Sequence, residues 1–208
     1  MRDASRRSAA STVTPGTEAG PRRLVVGMSG SSAPQLGIAL LEALDGRADV
    51  ETHLVISEGA RRSLQLEAGM EADQVAKLAD VAYDPRDLGA AISSGSFVTD
   101  GMVVIPCSMR SLAAIATGNS GDLLTRAADV TLKERRRLVL VTRESPLNLI
   151  HIRNMETVTL AGATVLPPVL GFYHRPRAVE DLVAQIVGKV LDQFAITHDL
   201  FRRWGSQP

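Results

Sequence analysis

The strongest constraint on this chain is a unit that recurs along it: an apolar run, a tight loop, then a helix with one apolar face. Leu24 to Met28 is a short apolar run ending in the small-residue loop Ser29-Gly30-Ser31-Ser32-Ala33-Pro34. Leu36, Leu40, Leu41 and Leu44 follow at helical spacing. Val50 to Ile56 reads as the next strand, Ser57 as a helix cap, and Ala60, Leu64 and Glu67 as successive positions along one helical face. After a variable middle, Met102 to Ile105 is a third strand, turned by Pro106-Cys107-Ser108-Met109 into a helix carrying Leu112, Ile115 and Ala116. Leu123 to Arg135 has helical spacing, Leu138 to Val141 is a buried-type strand, and Arg143-Glu144-Ser145-Pro146 leads into a helix through Leu160. Ala163 to Leu166 reads as a fifth strand stopped by Pro167-Pro168, and Val179 to Leu191 as a final helix.

Strands alternating with helices favour a parallel sheet covered on both faces, whose ligands bind at the loops beyond the strands' carboxyl ends. Those loops are 29–34, 57–58, 106–111 and 143–146, and one nucleotide-sized site can collect all four. At 208 residues the chain suffices for one domain with a substantial core. Residues 1 to 21, rich in Ser, Thr, Ala, Gly and Pro, read as a disordered extension ahead of it. Twenty-three basic residues offset twenty-three acidic ones, so any anion site must be local rather than a global field that draws nucleic acid or membrane. The lone Cys107, the absence of a long apolar window and the polar start fit a cytoplasmic protein with neither disulfide nor membrane span.

The first loop combines hydroxyls, small side chains and backbone N–H groups at a helix start, a recipe for binding phosphate or a heteroaromatic edge, although a plain turn explains it as well. Ser57 and Ser108 each follow a strand, where a hydroxyl caps the next helix or meets a ligand; position does not decide between the two. Arg143-Glu144 ends a buried strand, so Arg is placed to grip an anion and Glu to transfer protons, with a solvated ion pair as the competing reading. Only Lys77, Lys133 and Lys189 are lysines, so each stands out in an arginine-using chain. Arg126 and Lys133 are seven apart and share a helical face, serving either solvent or, if turned to the crevice, a phosphate. Tyr173 follows the double proline and offers a phenolic hydroxyl, or simple packing. No metal-ligand spacing, nucleophile elbow or Walker loop is present.

Taken together, Gly-Met-Ser-Gly-Ser-Ser (27–32), Ser-Gly-Ser (94–96), Pro-Cys-Ser-Met (106–109), the stretch from Arg126 to Arg136, Arg-Glu-Ser-Pro-Leu (143–147) and Gly-Phe-Tyr (171–173) resemble the UbiX-like flavin prenyltransferases. The blocks fall in family order and spacing across residues 23 to 205. The resemblance implies an α/β, Rossmann-like (flavodoxin-like) three-layer sandwich with a mainly parallel sheet, residues 22–208 forming the FMN-binding domain. It implies transfer of the dimethylallyl group of dimethylallyl phosphate to N5 and C6 of reduced FMN, giving prenylated FMN for a UbiD-type decarboxylase, with no metal. Carried over by motif, Gly30, Ser31, Ser32, Ser57, Ser94, Ser108, Met109, Arg110, Ser111 and Arg143 hold FMN. Arg126, Lys133, Tyr173 and Lys189 meet the prenyl phosphate, and Glu144, Glu67 and Ser32 are the catalytic candidates. A homo-oligomer as large as a dodecamer is implied, with sites at subunit interfaces.

Two departures stand out. Ala33-Pro34 replace the more usual Gly-Ala, and Asp122 sits where Asn is common. Pro34 can open a helix, whereas Ala33 requires that the loop not depend on glycine's left-handed conformation. The rival readings are a noncatalytic FMN-binding subunit of a decarboxylase and a flavin-dependent decarboxylase acting alone. Phosphate and pyrophosphate donors are not separated by the sequence.

Overall fold

The computed structural model describes residues 20–205, so nearly all of the expected 1–21 extension lies outside the described residues. Strands β1 (Arg22–Met28), β2 (Val50–Ile56), β3 (Val81–Tyr83), β4 (Gly101–Cys107), β5 (Arg137–Thr142) and β6 (Thr164–Val165) form one sheet in the order β3-β2-β1-β4-β5-β6. Every pairing is parallel. Winding runs outward from β1 to β3, then restarts at β4 on the other side of β1, and this reversal opens a crevice at the carboxyl ends of β1 and β4.

Side chains alternate between the two faces, as the pleat demands. Leu24, Val26, Val103, Ile105, Val139 and Val141 share a core with α1 (Gln35–Leu44) and α7 (Val179–Gln193). Val25, Met102, Val104, Leu138 and Leu140 face the other way, against α4 (Met109–Ala116), α5 (Leu123–Lys133) and α6 (Leu149–Leu160). Three layers result.

β2 has the expected bounds, and β1 and β5 extend theirs by a residue or two, because buried apolar runs carry little ambiguity. The last strand is shorter than expected: only Thr164 and Val165 pair, since Pro167 and Pro168 lack the N–H groups to continue a ladder. β3 and the short helix α3 (Ala72–Ala76) fill part of the variable middle. Asp122 caps α5 by accepting the Thr125 N–H at 2.8 Å, so the departure from Asn keeps the capping chemistry.

Among the described residues no helix is long and apolar enough to cross a membrane. Cys107 is fully buried at the end of β4, and burial pushes its thiol up to about 12. Since the thiolate is the reactive form, native protein at about pH 8 is expected to resist iodoacetamide and to react readily once unfolded. Rapid labelling of the folded protein contradicts this packing.

Candidate active site

The crevice at the β1/β4 reversal is closed at its base by Ser29. This buried hydroxyl donates to the Pro106 carbonyl at 3.0 Å and accepts the Ser108 N–H at 2.8 Å, tying loop 29–34 to loop 106–111. From β2, Ser57 joins through its N–H to the Met28 carbonyl at 2.9 Å. Gly30 then lies directly against Gly59: a Cβ on Gly30 would stand 2.7 Å from the Gly59 Cα, leaving no room for a side chain without parting the loops, and a Cβ on Gly59 would be tight at 3.1 Å from the Gly30 Cα. From β5, the Ser31 hydroxyl donates to the Arg143 carbonyl at 2.9 Å. All four expected loops meet here.

Glu67 approaches from the helix after β2, by a route that the sequence does not reveal. α2 (Glu58–Ser63) continues as a π-turn over Leu64–Ala68, ended by Gly69 in the left-handed conformation. Ala60 and Leu64 stay buried, but the wider turn swings Glu67 off their face, contrary to the expectation of one continuous helical face. Its carboxylate Oε2 accepts the Ser32 hydroxyl at 2.8 Å and the Ala33 N–H at 2.9 Å, while its own carbonyl accepts the Gln35 amide at 2.9 Å. Adjacent serines thus tie both carboxylate-bearing segments to one loop: Ser32 holds Glu67, and Ser31 holds the backbone beside Glu144.

Ser57 and Ser108 do cap helices, accepting the N–H groups of Ala60 and Ser111 at 3.2 Å each. Capping leaves the Ser57 hydroxyl proton unspent, whereas that of Ser108 goes to the Ser111 hydroxyl at 3.2 Å. Met109 and Arg110 open α4, with Arg110 exposed beside the crevice. Arg143 and Glu144 are exposed after β5, and one Glu144 oxygen accepts the Ser145 N–H at 3.0 Å.

The remaining candidates lie elsewhere in the protomer. Lys133 ends α5, four residues before the start of β5, whereas Glu144 follows its end. At about 3.3 Å per residue, the intervening strand separates them by about 20 Å, too far for one lysine side chain. Lys133 pairs with Glu134, and Arg126 with Asp129 and the Ser93 carbonyl, so the shared face does not turn to this crevice. Ser94, read from its motif as a flavin contact, sits with this group, hydrogen-bonded to Ser96 at 2.8 Å.

Tyr173 and Lys189 form a third group along α7. Tyr173 meets Trp204 edge-to-face at 5.8 Å, and Lys189 lies 3.7 Å from Asp192 while lining a cavity with Pro167 and Gln185. Asp192 also accepts from Arg203 and His198, whose hydrogen bonds hold its carboxyl below the usual carboxylate range despite partial burial. That carboxylate anchors the 197–205 tail over α7, an element with no motif to announce it. Among the described residues no three His, Cys, Asp or Glu side chains converge as a metal site.

A family model described as Flavoprotein matches residues 12–191. The flavin prenyltransferase UbiX of Escherichia coli (strain K12) is 52% identical over 185 residues, covering 88% of this chain and 98% of that protein. The chain belongs to the flavoprotein family, among its UbiX-like flavin prenyltransferases. The fold agrees: AnUbiX (PadA1), solved with FMN and dimethylallyl pyrophosphate, superposes with a TM-score of 0.87 at 49% identity, covering 90% of this chain and 100% of that one. A dodecameric FMN-dependent UbiX-like decarboxylase from Escherichia coli O157:H7 gives 0.86 at 50% identity, over 88% and 100% of the two chains.

Against that family background Ala33 corrects the expectation drawn from its lack of glycine. The loop does require the left-handed conformation there, and Ala33 adopts it, at φ 70°. An L-residue in that region is disfavoured by about 1–2 kcal/mol, partly offset by the unfolded-state entropy that glycine would add. Ala33→Gly is therefore expected to raise unfolding stability by about 0.5–1 kcal/mol in urea titration. A loss of stability would contradict the strained backbone.

Proposed function

We propose that the protein is a flavin prenyltransferase that joins the dimethylallyl group of dimethylallyl phosphate to N5 and C6 of reduced FMN. The observation that carries this reading is the pair of hydroxyls, Ser31 and Ser32, binding the Glu144 and Glu67 segments to one loop at the β1/β4 crevice. The crevice suits FMN. Gly30 and Gly59 keep side chains away from its wall, the amino ends of α1 and α4 point N–H groups at an anion, and Arg110 and Arg143 add positive charge.

In this reading Gly30, Ser31, Ser57, Ser108, Met109, Arg110, Ser111 and Arg143 hold the flavin, which supplies a nucleophilic ring nitrogen when bound. Ser32 and Glu67 orient and take up the proton at that nitrogen, the carboxylate already accepting the serine hydroxyl at 2.8 Å. Glu144 would donate a proton to the departing phosphate, whose loss balances the bond at N5. The bond at C6 would consume the prenyl double bond, one alkene carbon gaining a proton and C6 losing one, an exchange that Glu144 would also carry. Arg126, Lys133, Tyr173 and Lys189 neutralise the phosphate as the allylic C–O bond breaks, where fixed cations act most strongly on developing charge.

One protomer does not complete this site, because the length of β5 separates Lys133 from Glu144. A homo-oligomer in which a neighbouring copy brings its cations to the flavin half resolves the distance, and the dodecameric relative supports that arrangement. The product serves a UbiD-type decarboxylase, and we place the protein in the cytoplasm.

Purified protein incubated with reduced FMN and dimethylallyl phosphate is expected to release prenylated flavin, detected by mass spectrometry. Unmodified flavin with both the phosphate and the pyrophosphate donor contradicts the proposal and points to a noncatalytic FMN subunit or a decarboxylase. Glu144→Gln is expected to bind FMN normally and to slow prenylation by about 100-fold or more. Normal turnover in that variant removes Glu144 as the proton donor.

A further inference from the structure

Between β3 and β4, three alternate backbone carbonyls are taken by two arginines. Arg126 Nε donates to the Ser93 carbonyl at 3.2 Å, and Arg136 donates through Nη2 to Gly95 at 2.6 Å and through Nη1 to Phe97 at 2.8 Å. Arg136 is half-buried, and its partners lie about forty residues away in sequence (|i−j| of 41 and 39), so these are tertiary contacts rather than local turns. Charge-assisted bonds of this kind are roughly twice as strong as neutral ones.

Gly95 of the clamped segment faces the Lys133–Glu134 ion pair at the end of α5. A Cβ on Gly95 would fall 2.1 Å from a Glu134 carboxylate oxygen and 2.7 Å from Lys133 Nζ. Ser94 and Ser96 flank that contact, their hydroxyls 2.8 Å apart, and the Ser96 N–H reaches the Ser94 oxygen at 3.4 Å. With the carbonyls of 93, 95 and 97 held by arginines, two hydroxyls and the Lys133 ammonium, paired with the Glu134 carboxylate, are gathered over a few ångströms. A phosphate that draws Lys133 from Glu134 meets a donor surface whose shape depends on Arg136.

We propose that Arg136 is a positioning residue for the prenyl phosphate: by gripping the Gly95 and Phe97 carbonyls it sets Ser94, Ser96 and Lys133 as one phosphate-binding group. The inference rests on the prenyltransferase reading above and adds a residue to it. Lysine substitutes only in part, because a single ammonium lacks the planar fork that spans two carbonyls.

Three variants of the full-length protein test this: Arg136→Met, Arg136→Lys and Gly95→Ala, whose methyl displaces the Lys133 and Glu134 side-chain ends while leaving the Arg136 clamp in place. In the two Arg136 variants, amide hydrogen exchange over 93–97 is expected to quicken, and in all three FMN affinity and oligomer size are expected to be unchanged. The KM for dimethylallyl phosphate is expected to rise at least tenfold in Arg136→Met and Gly95→Ala, less in Arg136→Lys, with kcat at saturation reduced less than threefold. Unchanged exchange in Arg136→Met overturns the clamp. Faster exchange with an unaltered KM overturns its role in positioning. If the unsubstituted protein proves unable to prenylate FMN, the dissociation constant of dimethylallyl phosphate measured by calorimetry replaces KM, and an equal constant in all four proteins overturns the proposal independently of the catalytic reading.

Discussion

The Ser29 hydroxyl is the interaction on which the rest of the site depends. It lies where the winding of the sheet reverses, between β1 and β4, and it is both donor and acceptor in one buried bridge. A buried hydroxyl with both capacities used is strongly specified, because removing either partner strands a polar group away from water. By fixing loop 106–111 against loop 29–34 it sets where Gly30 meets Gly59, and hence where Ser31 and Ser32 point. The two carboxylate segments inherit their positions from those serines.

The architecture divides the chemistry between the two ends of the sheet. Serines, Arg143 and the two glutamates gather at the carboxyl edge, whereas Lys133 and the Ser94 segment lie a strand length away, and Tyr173 and Lys189 follow α7. Such a division explains why the cations are engaged by nearby carboxylates within one protomer: Arg126 with Asp129, Lys133 with Glu134, Lys189 with Asp192. Exposed pairs such as the first two contribute little to stability, so under the proposed reading they are free to yield to a substrate phosphate.

Much of the fold could be read from the sequence because the central strands are buried on both faces and show as unbroken apolar runs. The four ligand loops followed from strand ends alone, whereas position left Ser57 open between cap and ligand contact, and the structure shows the cap. β3 was not legible, being a three-residue edge strand with little to bury. The π-turn that redirects Glu67 leaves no periodic signature, and Ala33 conceals a left-handed residue behind a side chain that normally avoids it. Seven-residue spacing correctly put Arg126 and Lys133 on one face of α5, but spacing reports rotation about a helix and not position along a strand. The clamp by Arg136 and the tail held by Asp192 are tertiary contacts, and no local pattern encodes them.

The claim that two copies complete each site is tested most directly by mixing two inactive variants. Co-expressed Glu144→Gln and Lys133→Met chains, purified as mixed oligomers through separate tags, are expected to prenylate reduced FMN well above either variant alone, because some sites then pair an intact flavin half with an intact phosphate half. Mixed oligomers no more active than the two parents would show that both halves must come from one chain, and would contradict the account.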